Sequence, residues 1–190
     1  MKLIIASNNK NKIREIKEIL LGKFSEIVSL SDAGIVHETV EDGESFLENA
    51  LKKAREIAEI SGECALADDS GLCVDALDGA PGIYSARFTG EHGDDEANNA
   101  LLLEKLKGEP NRKAYYACAM ALVYPNGESK VAEEYFHGEI IDTPRGDGGF
   151  GYDPLFVPVG ETRTVAEMTE EEKNGISHRA KALRSLLKKL

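Results

Sequence analysis

Apolar residues recur along this chain with helical spacing in some stretches and as short unbroken runs in others, and the switches between the two lay out the elements. KLIIA, residues 2–6, is an apolar run of strand length. After it Ile13, Ile16, Leu20 and Leu21 keep helical spacing, which predicts a helix over 9–21 that stops at Gly22. A strand over 26–30 follows. Phe46, Leu47, Ala50, Leu51, Ala54 and Ile57 then give one apolar face to a helix over about 44–61, closed by Gly62, with Glu48, Lys52 and Glu56 as i,i+4 partners on its exposed side.

CALADDSGLCVDAL, residues 64–77, reads as two strands, 64–68 and 72–76, around a turn at Asp69-Ser70-Gly71. Residues 78–90 read as loop with short extended pieces, and 94–107 as a helix. AYYACAMALVY, residues 114–124, does not alternate, so it is expected to be a strand covered on both faces. Pro125-Asn126-Gly127 turns the chain into a return strand over about 129–141. A glycine-dense loop, RGDGGFGYDP, a short strand LFV and a helix over 178–190 complete the pattern. In that helix Leu183, Leu186, Leu187 and Leu190 form the apolar stripe, and Ser177 is placed to cap its start. Interleaved strands and helices with at least one hairpin predict an α/β fold with a mixed sheet. No repeat, biased segment or linker divides the chain, so residues 1–190 are expected to form one domain.

Composition narrows the function. At 190 residues and 42% hydrophobic content the chain can bury a sizeable core. It has no apolar stretch of membrane length, and MKLIIASNNK does not read as a signal peptide, so a cytosolic, cytoplasmic protein is expected. The three cysteines form no CxxC pair and sit in apolar contexts that suit reduced, packed thiols. A net charge of −11 speaks against nucleic acid or an anionic membrane as partner. Any anionic ligand must therefore be held locally, by clustered Lys or Arg, a helix N-terminus or a divalent cation.

Four segments offer such elements. SNNKNK, residues 7–12, lies where a strand ends and a helix begins: its free N–H groups with Lys10 and Lys12 suit an anion, while Ser and Asn there also read as ordinary N-caps. Around 40–54, Glu41 lies in loop and is free to take a metal ligand's position, and Asn49 and Lys53 share one helix edge; caps and a solvated lysine account for the same residues. Asp68 and Asp69 are the sharpest signal. Adjacent buried carboxylates repel, and a pair after a strand is a common way to hold Mg²⁺ on hard oxygen ligands. The fourth segment runs from Lys173 to the C-terminal helix, whose first residues, His178 and Arg179, face the positive end of the helix dipole: either they are solvated at small cost or they grip something polar, a reading that Lys173 close by favours. In the glycine-dense loop, Phe150 and Tyr152 are able to stack on a flat ring.

Taken in order, SNNKNK (7–12), EDGESFLENALKKA (41–54), LADDSGL (66–72), GAPGIYSARF (79–88), GGFGYDPLF (148–156) and EEKNGISHRAKAL (171–183) resemble the non-canonical purine nucleoside triphosphate pyrophosphatases, the inosine triphosphatase-like enzymes. The resemblance spans nearly the whole chain. It implies a two-lobed α/β fold with a long mixed sheet flanked by helices, an active-site cleft between lobes, and a homodimer. It also implies Mg²⁺-assisted hydrolysis of ITP, dITP and XTP to the monophosphate and pyrophosphate. Carried over by position, Ser7, Asn8, Asn9, Lys10, Asn11 and Lys12 would form the phosphate loop, joined by Lys53. Glu41 and Asp69 would hold metal, with Asp69 as proton acceptor and Asp68 beside it in the catalytic pair. Ser70, Phe150, Gly151, Tyr152, Asp153, Lys173, His178 and Arg179 would line the nucleoside.

That assignment makes chemical sense: cutting between the α- and β-phosphates needs an oriented water and cations that spread the charge on a departing pyrophosphate. N–H groups of the His178-Arg179 turn would pair with the 6-oxygen of hypoxanthine or xanthine and be left unpaired by adenine. Two other classes account for part of the same pattern. A metal-dependent phosphatase would release orthophosphate, and a non-catalytic nucleotide-binding module would bind without turnover.

Overall fold

The computed structural model describes residues 2–190. Six strands form one mixed sheet: β1 (Lys2–Ile5), β2 (Glu26–Ser29), β3 (Cys64–Val74), β4 (Lys113–Val123), β5 (Ser129–Ile140) and β6 (Phe156–Pro158). They lie in the order β2-β1-β3-β4-β5-β6. β1 is parallel to both β2 and β3, with Leu3 opposite Ile27 and Cys64, whereas β5 and β6 are antiparallel. Five helices accompany the sheet: α1 (Lys10–Ile19), α2 (Phe46–Ser61), α3 (Asp95–Lys105), α4 (Glu170–Ile176) and α5 (His178–Leu187). Among the described residues no helix is long and apolar enough to cross a membrane.

The chain divides into two compact units. The first takes the residues through Asp69 with Cys118–Glu134 and Arg179–Leu190; the second takes Ser70–Ala117 and Tyr135–His178. Each has its own core. In the first, Leu3, Ile5 and Leu66 of the sheet pack with Ile16 and Leu20 of α1, Met120 and Leu122 of β4, and Leu183 and Leu186 of α5. In the second, Leu72, Val74, Tyr116 and Phe136 pack with Leu102, Leu106, Leu155 and Phe156.

Three expectations change. The Asp-Ser-Gly turn does not form: Cys64–Val74 is a single strand of 11 residues, buried along nearly its whole length. It lies inside the sheet between β1 and β4, where ladder bonding on two sides outweighs the turn preference of these residues. Past the would-be turn, the Leu72 N–H donates to the Ser85 hydroxyl at 2.8 Å, which in turn donates to the Gly82 carbonyl at 2.6 Å. That serine belongs to a 3-10 helix, Gly82–Arg87, where loop and extended pieces were expected.

The second change concerns α2, whose outer charges form hydrogen bonds with groups outside the helix, while Lys52 still acts on Glu56 four residues on. Lys52 bonds Asp42 at 2.6 Å, Glu48 accepts the Glu44 N–H at 2.7 Å, and Glu56 takes the Thr39 hydroxyl at 2.6 Å and His37 Nε2 at 2.7 Å. Segment 37–44 has no helix or strand of its own, so these contacts strap it to α2. The third is α4, an extra short helix before α5, started by a capping box between Thr169 and Glu172.

Candidate active site

Strand geometry resolves the puzzle of the adjacent aspartates. Successive side chains of a strand point to opposite faces, and Asp68 and Asp69, 1% and 5% exposed, have different neighbours. Asp68 Oδ2 accepts Lys12 Nζ of α1 at 3.1 Å and Arg179 Nε and Nη2 of α5 at 3.2 and 3.1 Å. Arg179 Nη1 also binds Glu15 of α1. Asp69 instead accepts the Asn49 amide of α2 at 3.1 Å and lies 3.5 Å from Lys53 Nζ, which bonds Glu41 at 2.5 Å. The two carboxylates therefore do not form one acidic pair at a turn, as the sequence suggested. Each has its own hydrogen-bonding partners, while Lys12 and Lys53 act electrostatically on both.

Local structure puts these groups in place. Asn9 caps α1, its Oδ1 accepting the N–H groups of Asn11 and Lys12 at 3.0 and 3.2 Å, and the Ser7 hydroxyl accepts the Asn9 N–H at 3.1 Å. Asn8 donates to the His37 carbonyl at 3.1 Å, tying the loop to segment 37–44; Lys10 is exposed. On α2, Asn49 accepts the Gly43 N–H at 2.9 Å while its amide holds Asp69. A Cβ at Gly43 would meet Asn49 Oδ1 at 2.7 Å, so only glycine lets the Glu41 loop approach this closely.

The charges respond in opposite ways. Burial works to raise the Asp68 pKa, but Lys12 and Arg179 outweigh it and hold that carboxyl well below the usual range. Burial works against a charged Arg179, and Asp68 and Glu15 overcome it, so the guanidinium stays charged more firmly than usual. For Asp69, burial dominates and raises the pKa above 3.8, with Glu41 adding to the rise; Lys53, at 3.5 Å, and Lys12 oppose it without overcoming it. Lys53 is raised despite its burial because Asp69 and Glu41 both face it.

These residues fit a magnesium ion. Among the described residues no three His, Cys, Asp or Glu side chains come together as a metal cluster. Glu41 and Asp69, however, share the Lys53 ammonium, and offer hard oxygens that a divalent ion can take in its place. Mg²⁺ is commonly held by one or two carboxylates, with water and phosphate oxygens completing its shell.

The second unit carries a different cluster. Asp153, 3% exposed, accepts Lys173 Nζ at 2.7 Å and the Phe150 N–H at 3.0 Å on Oδ2, and the Tyr116 hydroxyl at 3.3 Å on Oδ1. Lys173 Nζ stands 4.4 Å from the centre of the Phe150 ring. His178 stacks on Tyr116, their rings 4.7 Å apart and 8° from parallel. Gly149, at φ +71, is closed against Asp153, leaving no room for a Cβ. Gly151 is gripped at both ends of its backbone by α3: its N–H donates to Asp95 at 2.7 Å and its carbonyl accepts from Asn99 at 3.0 Å.

Two of the residues expected to line the nucleoside are engaged within the protein. Tyr152 is not a free stacking ring: it is buried in the second core and its hydroxyl donates to the Ser85 carbonyl at 2.8 Å. The Arg179 guanidinium is committed to Asp68 and Glu15, because a buried cation at a helix start needs carboxylates on all sides it presents. Phe150 is half buried with Lys173 over its ring, and Ser70 is half buried in β3 beside Asp69. Glu15, Tyr116, Asp95 and Asn99 were not expected at all. Glu15 had a signal, its place one turn after Lys12 on α1; Tyr116, inside an all-apolar run, had none.

Comparison with known proteins bears on what these clusters do. Residues 3–189 match the family model described as the Ham1 family. A dITP/XTP pyrophosphatase of Exiguobacterium sp. is 52% identical over 186 residues, covering 98% of this chain and 95% of that protein. The solved structure of the Staphylococcus aureus Ham1 protein matches with a TM-score of 0.88 at 40% identity, covering 98% of this chain and 96% of that one. A nucleoside-triphosphatase, dITP/XTP pyrophosphatase, from Mycobacterium abscessus matches with a TM-score of 0.79 at 49% identity, covering 98% and 99%.

Proposed function

The chain belongs to the Ham1 family, and from that premise we propose that it hydrolyses the purine nucleoside triphosphates dITP, XTP and ITP to monophosphate and pyrophosphate. The observation that carries this reading is the first unit's cluster, where the Lys12 and Lys53 ammonium groups lie within 3.5 Å of Asp68, Asp69 and Glu41. Such an arrangement suits an anionic substrate, because cations already desolvated and aimed need little reorganisation to take phosphate oxygens.

In this reading Lys12 and Lys53 exchange carboxylate partners for phosphate oxygens when the triphosphate enters. They then stabilise the charge that builds on the departing pyrophosphate. The raised pKa of Asp69 suits it to accept the proton of the attacking water. Glu41 and Asp69 would hold Mg²⁺, which when bound supplies Lewis-acid neutralisation of phosphate charge. Asp68, kept ionised by Lys12 and Arg179, keeps those cations in register rather than moving a proton. Phe150, Lys173 and His178 are assigned to the nucleoside, with Asp153 holding the first two of them in place. Donors of the 178–179 turn read the 6-oxygen, Arg179 through its backbone alone. The enzyme is taken to act as a homodimer in the cytosol, clearing the nucleotide pool.

A panel of nucleoside triphosphates with Mg²⁺, scored for each phosphate product, tests the reading. Pyrophosphate should appear from dITP, XTP and ITP, with ATP at least about 100-fold slower in kcat/KM. Orthophosphate as first product would assign a phosphatase instead, and binding without turnover a nucleotide-binding module.

A further inference from the structure

Glu15 lies on α1 one turn beyond Lys12, and its side chain is 6% exposed. A carboxylate this buried needs a reason, and its partner supplies one. The Arg179 guanidinium places Nη1 on Glu15 and turns Nε and Nη2 to Asp68 Oδ2, the same oxygen that holds Lys12 Nζ at 3.1 Å. Cation and anion thus alternate through Lys12, Asp68, Arg179 and Glu15, with no net charge. Of the four, Lys12 is the most accessible, at 15%; Asp68 and Arg179 are at 0% and 1%.

The geometry of arginine makes Glu15 consequential. A guanidinium is a rigid planar fork, so fixing one nitrogen orients the others. With Glu15 in place, Arg179 meets Asp68 along its Nε–Nη2 edge and leaves Oδ2 able to accept Lys12 as well. Without that carboxylate, the four-group chain would carry one excess positive charge in a buried setting. Arg179 would then compete with Lys12 for Asp68, and like charge would push the Lys12 ammonium outward.

We propose that Glu15 is a positioning residue that, through Arg179 and Asp68, holds the Lys12 ammonium where it grips the triphosphate. The claim rests on the pyrophosphatase reading, since it takes Lys12 to meet phosphate. It differs from a purely structural role, in which Glu15 would only neutralise a buried arginine and its loss would lower stability while leaving the substrate contacts of the folded fraction unchanged.

A double-mutant cycle of Glu15→Gln with Lys12→Ala separates the two, read by steady-state hydrolysis of dITP and by calorimetric binding of inorganic pyrophosphate. Glu15→Gln is expected to raise KM for dITP about 10-fold and to weaken pyrophosphate binding by a similar factor, with kcat changed less than about 3-fold. Added to Lys12→Ala it should cost nothing further. Unchanged KM and pyrophosphate affinity with a lower Tm would overturn the proposal, and so would losses that simply add. Should Glu15→Gln fail to fold, Glu15→Asp keeps the charge on a shorter stem and is read on the same cycle, with coupling supporting and additivity overturning. If the wild-type protein releases no pyrophosphate from dITP, the functional reading falls on that measurement alone. Pyrophosphate binding still decides whether Glu15 acts through Lys12.

Discussion

The two clusters handle buried charge in contrasting ways. In the first unit three cations, Lys12, Lys53 and Arg179, are set among four carboxylates, Glu15, Glu41, Asp68 and Asp69. In the second, one ion pair, Lys173 with Asp153, is enclosed by the Phe150 and Tyr116 side chains and by Gly149, which admits no Cβ. The first arrangement is made of partners that can be exchanged, which suits phosphate and metal. The second is made of shape: its single carboxylate holds a lysine, a backbone N–H and a tyrosine hydroxyl together, which suits recognition of a flat, neutral base. Loss of a group in the first should affect turnover of every triphosphate. Loss in the second should affect which base is accepted.

The largest effect is expected at Asp69. Asp69→Asn should lower kcat by about 10²- to 10⁴-fold on all triphosphates alike. Its effect on stability should run the other way. Because the folded-state pKa is raised, ionised Asp69 counts against the fold once pH exceeds its folded value. Asp69→Asn should therefore match or exceed the wild-type Tm at pH 7, the difference vanishing in acid; a lower Tm would mean that the Lys53 contact outweighs burial.

Next is the neighbouring Asp68, where the sign reverses. Its folded pKa is depressed, so its stabilisation is present above the ordinary carboxylate range and is lost as pH falls towards the folded value. Asp68→Asn leaves Arg179 and Lys12 facing a neutral amide. It should cost about 3–5 kcal/mol in urea unfolding at pH 7, with the deficit shrinking below about pH 4. Equal stability across pH would break the contrast between the two aspartates.

The smallest effect sharpens the contrast from the second unit. Asn99→Ala frees the Gly151 carbonyl while Asp95 still holds its N–H. The loss of one hydrogen bond, worth about 1 kcal/mol, should raise KM for dITP about 5-fold. Pyrophosphate binding should stay at the wild-type value; a parallel loss there would show that the glycine loop serves the phosphates too.

Most elements were legible because their signals are local. Asn9 before α1, Ser45 before α2 and Gly62 after it mark helix ends through bonds within a few residues. The non-alternating run of β4 announced a strand covered on both sides, and it is buried from Tyr116 to Val123. The failure at Asp69-Ser70-Gly71 has the opposite cause: a turn preference is local, whereas a place between two strands is not. α4 escaped because seven residues are too few for a periodic apolar face, although its Thr169 and Glu172 capping pair was there to be read.

By itself the chain determined the alternation of strands and helices, the helix ends and the residue types able to meet phosphate and metal, since each depends on neighbours within about one or two turns. Only the tertiary structure decided which cation meets which carboxylate. Asp68 and Arg179 are 111 residues apart and Glu15 and Arg179 are 164 apart, so no local preference relates them. Asp68 bonds Lys12 of α1 and Arg179 of α5, whereas Asp69 bonds Asn49 of α2 and has Lys53 only at 3.5 Å, and that placement gives one aspartate a depressed pKa and the other a raised one.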